Sequence, residues 1–539
     1  MTNMNPLTSS PIFEKRVSQL VMTGLVLILI GALVVPASWR LPAATNDEML
    51  HLKSWRNRYG TNDVFPIGRL KISKATNIPP AIKQIALRIY DSGPIGQRLF
   101  IVMQDCHPSL WPITAEIIAS VTDSSLLAIR LVSTICFAIT LFFVYQIGKS
   151  IHDHSVGLFA AVAWCLSHLA IEYAGTARMY APAMAALAFF VYAFLNTDPL
   201  EDRGFRRLAL IAILPISLEW FTWPTVYLAL ASAVFSRLRV TRTLPVTVKT
   251  LRSLVPFMLV SAVFLGYYLI LAKFHPSASP EWSEGRGPHP AYEHFVDFFA
   301  RVGLLSFLNV VYDRDVPIAI ANGVIYLIGF AAFIFSNRPS RFQVVAILGA
   351  VAGLLLPLAI RMLARHYMLA LFLPLTAGVV GLGLLIPRRV RLPLAIGLAL
   401  VGIGIASSQE RFFGRDNPVY EYPRIARALR EHLSSETLWI AFPYQLAMCV
   451  YRYEPLPEPI MATSRKELDA ALYEMPAGRP FLILTHKWTA DRVSRDHKLL
   501  IQRFEVLEEF LDRVTIVRVV KQPMLPPVSN QDSSQAESP

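Results

Sequence analysis

The sequence predicts a polytopic α-helical membrane protein with a small extracytoplasmic α/β domain at its C-terminal end. Three observations predict it. Of 539 residues, 54% are hydrophobic and only 17% are charged, where a soluble chain carries about 25% charged residues. The hydrophobic residues fall in long runs, and about 20 of them cross a bilayer core as a helix. The Lys and Arg residues collect in short clusters between alternate runs, the asymmetry that fixes which loops stay inside. A formal net charge of +13 would also suit nucleic acid, but this clustering assigns it to membrane topology, so no nucleic-acid partner is expected.

Residues 1–16 read as a cytoplasmic N-terminus ending in Lys15 and Arg16. The run 17–37 is long, and several further runs follow it, so it reads as an uncleaved first span and not as a signal peptide. Further runs near 124–147, 154–172, 177–196, 207–219, 222–236, 253–273, 317–335, 342–361, 366–386 and 391–408 bring the count to about eleven transmembrane helices within 17–408. The stretch 207–236 divides at Glu219-Trp-Phe-Thr-Trp-Pro, which reads as a tight turn.

The charges support this count. The inner side holds Lys15 and Arg16, Lys149, the arginines of 203–207, the five basic residues from Arg237 to Arg252, Arg338 with Arg341, and the cluster Arg388, Arg389 and Arg391. The short outer loops near 172–178, 219–223 and 361–366 hold only Arg178, Arg361 and Arg365.

Two outer segments are long. Segment 38–123 contains apolar pieces at 78–90 and 108–121 that are too short to span and read as amphipathic helices on the membrane surface. Segment 274–316 opens with a Gly-, Pro- and Ser-rich stretch that reads as a mobile loop. Past 408 the pattern alternates a helix-like piece (423–435) with strand-like ones (436–442, 480–485, 514–520), giving an α/β domain over 409–525. The tail 526–539 reads as disordered. Cys136 and Cys165 lie inside apolar runs as packing residues, while Cys106 and Cys449 would both face outward, and whether they pair stays open. No Walker A loop, GxSxG elbow, HExxH pair or GxGxxG fingerprint is present, so ATP hydrolysis is not expected.

Four polar clusters stand at the outer side. Asp47-Glu48 follows the first span; adjacent carboxylates there serve as a general base, bind a cation, or simply start a helix. Asp105-Cys106-His107-Pro108 precedes a helix, with His107 able to bond a hydroxyl or phosphate, or to act as an ordinary cap. Glu172 to Tyr180 contains Arg178, and Arg361 to Tyr367 contains Arg365 and His366. Outer arginines go against the inside bias, and charge at the membrane edge is costly enough to imply a use. Arginine grips phosphate through a planar fork of donors. The plainer reading is snorkelling to the interface or pairing with Glu172.

Taken in order, Asp47-Glu48 after the first span, His107-Pro108-Ser109-Leu110 opening a surface helix, Arg130-Leu-Val-Ser, Ala177-Arg178-Met179-Tyr180 and Arg365-His366-Tyr367 resemble the GT-C superfamily of membrane glycosyltransferases. More narrowly, they resemble its bacterial branch related to protein O-mannosyltransferases and the lipid A aminoarabinose transferase. The likeness covers roughly 15–390, and Ser109 stands where the family often has proline.

The resemblance implies a sugar donor on a polyprenyl phosphate and an inverting transfer to a lipid, glycan or protein acceptor. It implies a site at the periplasmic face of a bacterial inner membrane, the side on which the charge asymmetry also places the C-terminal domain. It implies Asp47 as base with Glu48 supporting it. Asp105, His107 and Tyr180 would line the cavity, with His366 and Tyr367 beside the substrate. Arg178, Arg365 and, more weakly, Arg361 would hold the donor phosphate. No cofactor is expected to be obligatory; a divalent cation on Asp47, Glu48 and Asp105 stays open. Two other classes compete: a lipid or solute transporter or flippase, which needs ionisable residues near the midplane, and an envelope-assembly scaffold without catalysis.

Overall fold

The computed structural model describes residues 79–91, 110–122, 126–241, 244–271, 315–336, 340–360 and 367–408, with the short pieces 298–300 and 302–306. Toward the C-terminus it describes 422–433, 437–442, 460–461, 465–474, 480–486, 505–510 and 514–520, and a few single residues elsewhere. The first span 17–37 (apart from Gly24 and Ile28, which are helical), the head of the 274–316 loop, Cys106, Cys449 and the tail lie outside the described residues. The chain divides into a helical unit and a C-terminal unit.

The helical unit runs α1 (Pro80–Asp91), α2 (Leu110–Val121), α3 (Leu126–Ile151), α4 (His154–Cys165), α5 (His168–Gly175), α6 (Tyr180–Asn196), α7 (Asp202–Ile211) and α8 (Ile213–Leu218). After the 3-10 turn Trp220–Thr222 come α9 (Trp223–Thr241), α10 (Leu244–Leu271), α11 (Asp315–Ile334), α12 (Ser340–Ile360), α13 (Tyr367–Ala370), α14 (Phe372–Leu385) and α15 (Arg388–Ser408). Each apolar run from 124 to 408 therefore holds a helix or a broken pair. Three described helices, Leu127–Ile151, Pro245–Gly266 and Val316–Ile334, are long and apolar enough to cross a membrane, and the pair α4–α5 adds a fourth if counted as one span.

The packing is that of a bilayer protein. On α3, Leu127, Leu131, Ile135 and Ile139 recur every fourth residue and stand exposed, while Ile129, Phe137, Leu141 and Val144 are buried. The apolar stripe that a soluble helix would bury faces outward here, where lipid replaces water. Helix α2 differs from the amphipathic surface helix expected at 108–121. Trp111 and Ala115 are buried, and Ile113, Ile117 and Val121 are exposed, so it is apolar on both sides.

Helix directions follow from side-chain pairs. Phe143 of α3 meets Phe189 of α6 at 5.0 Å between ring centroids, and Ser150 bonds Asn196 at 3.4 Å. The two helices run parallel, so their starts share one end of the unit. Helix α14 runs antiparallel to α4, since Phe372 lies 5.0 Å from Trp164 while Gly383 abuts Val156 and Phe159.

The run 154–172, expected as a single span, is a bent pair in which α4 and α5 meet at 70°. The break frees the His168 N–H and the Leu166 carbonyl, and Ser306 meets both, accepting from His168 at 3.0 Å and lying 3.3 Å from Leu166 O. The mobile-loop reading of 274–316 fails for its later part. Phe298, Ala300, Val302 and Ser306 are buried, and Asn322 of α11 donates to Phe299 O and accepts from Leu305 N. Buried irregular backbone needs protein partners for its polar groups, and Asn322 supplies two of them.

Two arginines counted among the inner charges brace the opposite end. Arg237 is 2% exposed; it donates to Thr250 Oγ1 (2.8 Å) and Pro199 O (3.0 Å) and pairs with Asp202. Arg391 donates to Ile386 O (2.8 Å) and to Asp153 Oδ2 (3.1 Å). Asp153 caps α4, accepting from Val156 N at 2.9 Å and Ser155 Oγ at 2.6 Å. Burial alone would raise the Asp153 carboxyl, but the Ser155 and Val156 hydrogen bonds and the charges of His152 and Arg391 outweigh it and hold it at about 2.

The C-terminal unit comprises α16 (Tyr422–His432), β1 (Leu438–Phe442), β2 (Ile460–Met461), α17 (Arg465–Glu474), β3 (Pro480–His486), β4 (Glu505–Phe510) and β5 (Val514–Val520). The sheet order is β2-β1-β3-β5-β4, parallel among β1, β2 and β3 and antiparallel for β5 and β4. Phe481 to Leu484 are buried without alternation, as befits a central strand covered on both faces. Ile425, Ala426 and Leu429 of α16 are buried, while Arg424, Arg427 and Arg430 are exposed on its other side.

Candidate active site

Of the residues singled out in the sequence, Arg178 and Tyr180 are described with their side chains, and Tyr367 is described as the first residue of α13. Asp47, Glu48, Asp105, His107, Arg361, Arg365 and His366 lie outside the described residues.

Helix α5 ends at Gly175, the chain turns through Thr176 to Met179, and α6 starts at Tyr180. The turn brings Tyr173 and Tyr180 face to face, with centroids 4.6 Å apart and planes at 23°. The Arg178 guanidinium carbon stands 5.6 Å from the Tyr180 ring centroid. Arg178 and Tyr180 are each 7% exposed and Tyr173 is 1% exposed. A desolvated cation over an aromatic face is held by about 2 kcal/mol. Arg178 thus has a rigid aromatic seat, which snorkelling to the interface does not describe.

Two further buried charges reach this end, and the sequence reading did not count either as a site residue. Arg130 is 2% exposed and sits in the second turn of α3. One turn on, Thr134 Oγ1 lies 3.2 Å from Ala174 O, fixing this part of α3 beside the end of α5. The sequence signal was present: Arg130 is an isolated ionisable residue within an apolar run, a functional pointer by default. Glu219, read in the sequence only as part of a turn, is 0% exposed.

The turn that carries Glu219 lies at the same end. Arg237 ties the far end of α9 to Pro199, just past the end of α6, so the start of α9 lies at the start of α6. Helix α13, which opens with Tyr367, packs against both α6 and the Trp220–Thr222 turn. The structure therefore gathers Arg130, Arg178, Tyr173, Tyr180, Glu219 and the start of α13 at one end. Of these groups, the two guanidinium ions fit the binding of an anion at the edge of an apolar region.

An apolar groove of about 510 Å3 opens nearby, lined by Leu110, Ile113, Ile213, Ser217, Leu259 and Val263 among others. It lies between α2, α8 and α10, and α8 ends one residue before Glu219. Among the described residues no group of three or more His, Cys, Asp or Glu side chains could hold a metal ion.

No protein-family model and no curated protein matches the chain. Solved structures do show similarity. ArnT from Cupriavidus metallidurans in the apo state aligns with a TM-score of 0.46 at 11% identity, over 76% of this chain and 87% of that one. The same protein bound to undecaprenyl phosphate aligns at 0.42 and 12%, over 77% and 88%. The arabinofuranosyltransferase AftD from Mycobacteria aligns at 0.42 and 14%, over 94% of this chain and 40% of that one. At such identities, what assigns a chemistry to this chain is its own residues.

Proposed function

We propose that this protein is a membrane glycosyltransferase of the GT-C type that moves a sugar from a polyprenyl-phosphate donor to a hydroxyl-bearing acceptor at the outer face of the membrane. The observation that carries the reading is the buried Arg178 seated on Tyr180, itself stacked on Tyr173, with Arg130 buried at the same end. The ordered motifs of the sequence support it.

In such a transfer, the acceptor oxygen attacks the anomeric carbon as a base takes its proton. The bond from that carbon to the phosphate oxygen breaks, the configuration inverts, and polyprenyl phosphate leaves. Negative charge grows on the leaving phosphate, and guanidinium groups fixed in apolar surroundings stabilise it without reorganising. Arg178 takes this role, with Arg365 and, more weakly, Arg361 as sequence-based partners. Asp47 is proposed as the base, supported by Glu48, with Asp105, His107, His366 and Tyr367 beside the substrate. The groove between α2, α8 and α10 would take the isoprenoid chain: its lining is almost wholly apolar, and Ser217 in that lining stands two residues before Glu219.

Among the described residues, the buried charged side chains are Arg130, Arg178, Glu219, Arg237 and Arg391. All stand near helix ends and none at mid-span, which disfavours a transport path through the bilayer. Placement at the periplasmic side of a bacterial inner membrane belongs to this proposal, as does a role in cell-envelope glycan or lipopolysaccharide modification.

The test is native mass spectrometry of the purified protein with polyprenyl phosphate added, wild type against Arg178→Ala. The expected result is a bound polyprenyl phosphate on the wild type that is lost from the variant. A wild type that takes up none overturns the reading.

A further inference from the structure

The end of the helical unit away from Arg178 carries a second set of arginines that the scheme above does not use. Along α7 and α8, Arg203, Arg206, Arg207, Leu210 and Leu214 are exposed and fall on one stripe, cationic in the first turns and apolar beyond. The stripe keeps its phase across the join, because Ala212 is itself helical (φ −60°, ψ −23°) and its N–H donates to Leu208 O at 3.0 Å. Along α10, Lys249, Arg252, Leu259 and Val263 repeat that order on one exposed stripe.

The two stripes meet at a seam. Helix α7 packs along α10, and Lys249 Nζ lies 3.3 Å from Asp202 Oδ2. Further along, Ile213 and Ser217 of α8 line the same groove as Leu259 and Val263 of α10. The helices therefore run parallel and in register. Arg206 stands two turns before Ile213, and Arg252 stands two turns before Leu259, so both arginines border the seam at one height. The acid nearest them, Asp202, is already engaged by Arg237 and Lys249. Among the described residues no hydrogen bond or ion pair holds Arg203, Arg206, Arg207 or Arg252.

Like charges at one height on packed helices repel, and more strongly at the low-dielectric edge of a bilayer than in water. A purely topological role asks only for positive charge somewhere on this side, and snorkelling serves each arginine singly. Neither calls for cations set level on two packed helices. A phosphodiester between them relieves the repulsion, since each guanidinium offers it a fork of donors. The exposed Leu210 and Leu214, next on the α7–α8 stripe, give an acyl chain an apolar track from that height into the bilayer, which a free phosphate does not need.

We propose that the seam between α7 and α10 is a binding site for one anionic phospholipid, whose headgroup phosphate sits on Arg206 and Arg252. Arg203 and Arg207 flank it and add to the field that selects a negative headgroup. The site stands at the opposite end of the unit from Arg178 and does not rest on the glycosyltransferase reading.

The test uses the full chain in detergent and native mass spectrometry, titrating phosphatidylglycerol and, separately, phosphatidylcholine with the same acyl chains. Both carry a phosphodiester, but only the first has net charge. The wild type should prefer phosphatidylglycerol, and the double variant Arg206→Gln/Arg252→Gln should bind it about tenfold more weakly or worse, the scale expected for two cations near a membrane surface. Its binding of phosphatidylcholine should not change. The control is Arg388→Gln/Arg389→Gln, which removes the same charge from exposed residues of α15 at this end. Its affinity for phosphatidylglycerol should stay within about twofold of wild type, because exposed charges away from the seam are largely screened.

A wild type that binds the two lipids equally overturns the proposal. So does an equal loss in both double variants, which would mean diffuse attraction and no site on the seam. If Arg206→Gln/Arg252→Gln does not fold, Arg252→Gln alone takes its place: weaker phosphatidylglycerol binding than in the control supports the site, and wild-type binding overturns it.

Discussion

Tyr173 and Tyr180 stack at 4.6 Å across the turn that joins α5 to α6, and Arg178 sits between them in sequence with its guanidinium carbon 5.6 Å from the Tyr180 centroid. The stack gives an otherwise loose turn a defined shape, so the arginine it carries points one way. Tyr173→Leu should lower stability by about 1–3 kcal/mol, from the lost aromatic pair and an imperfectly filled site. It should also weaken polyprenyl phosphate binding, while Tyr173→Phe keeps the stack and most of the affinity. Thermal unfolding and ligand titration of the two variants check this; equal binding by both would separate the stack from the site.

Helices α11 and α14 approach backbone to backbone. A Cβ on Gly329 would lie 2.1 Å from the Gly378 carbonyl oxygen, and one on Gly381 would lie 1.8 Å from the Gly329 oxygen. Such approach is how membrane helices pack without a hydrophobic driving force between them. Gly329→Ala should cost about 1–3 kcal/mol because the helices must separate. On the same helix, a Cβ on Gly323 meets nothing within 4 Å. There alanine should be neutral or stabilise by up to about 1 kcal/mol. Melting temperatures of the two variants decide it.

Gly303 has φ +125°, and a Cβ there would lie 2.7 Å from Asn322 Oδ1. Gly303→Ala should therefore destabilise by about 1–3 kcal/mol, from backbone strain and from displacing the amide that holds Phe299 and Leu305. Hydrogen exchange of 298–306 should rise in the variant, and unchanged protection would refute the clasp.

Asp153 makes stability pH-dependent at the opposite end. Its carboxyl is held at about 2 in the folded protein, below the ordinary value near 3.9. The stabilisation is therefore complete above about pH 4 and is lost as pH falls through about 2. The wild-type melting temperature should drop more between pH 5 and about 2.5 than that of Asp153→Asn, which has no charge to lose. Arg391→Ala should reduce the same pH dependence, since one of the groups favouring the carboxylate is gone. Parallel melting curves for all three proteins test both statements.

Much of the fold was legible in the sequence because apolar length is a local property. The helices of the runs from 124 to 408, the turn after Glu219, and the strands near 436–442, 480–485 and 514–520 all follow from residues next to one another in the chain. At the site, Arg178 was legible as an outer arginine out of keeping with its neighbours. Arg130 was visible but read only as a motif. Glu219 was missed because a single acid in a turn looks the same whether water or protein surrounds it.

By itself, the sequence determined that the chain is built for a bilayer, where its helices lie, and which arginines stand out of pattern. The tertiary structure alone decided how charges counted alike are used. Arg237 and Arg391 are braces, Arg178 is seated on aromatic rings, and Glu219 is sealed from solvent. It alone decided that 298–306 enters the bundle and that α4 and α5 part at 70° where Ser306 serves the break. The reason is physical: hydropathy sums over neighbours in sequence, while desolvation and hydrogen-bond satisfaction depend on neighbours in space.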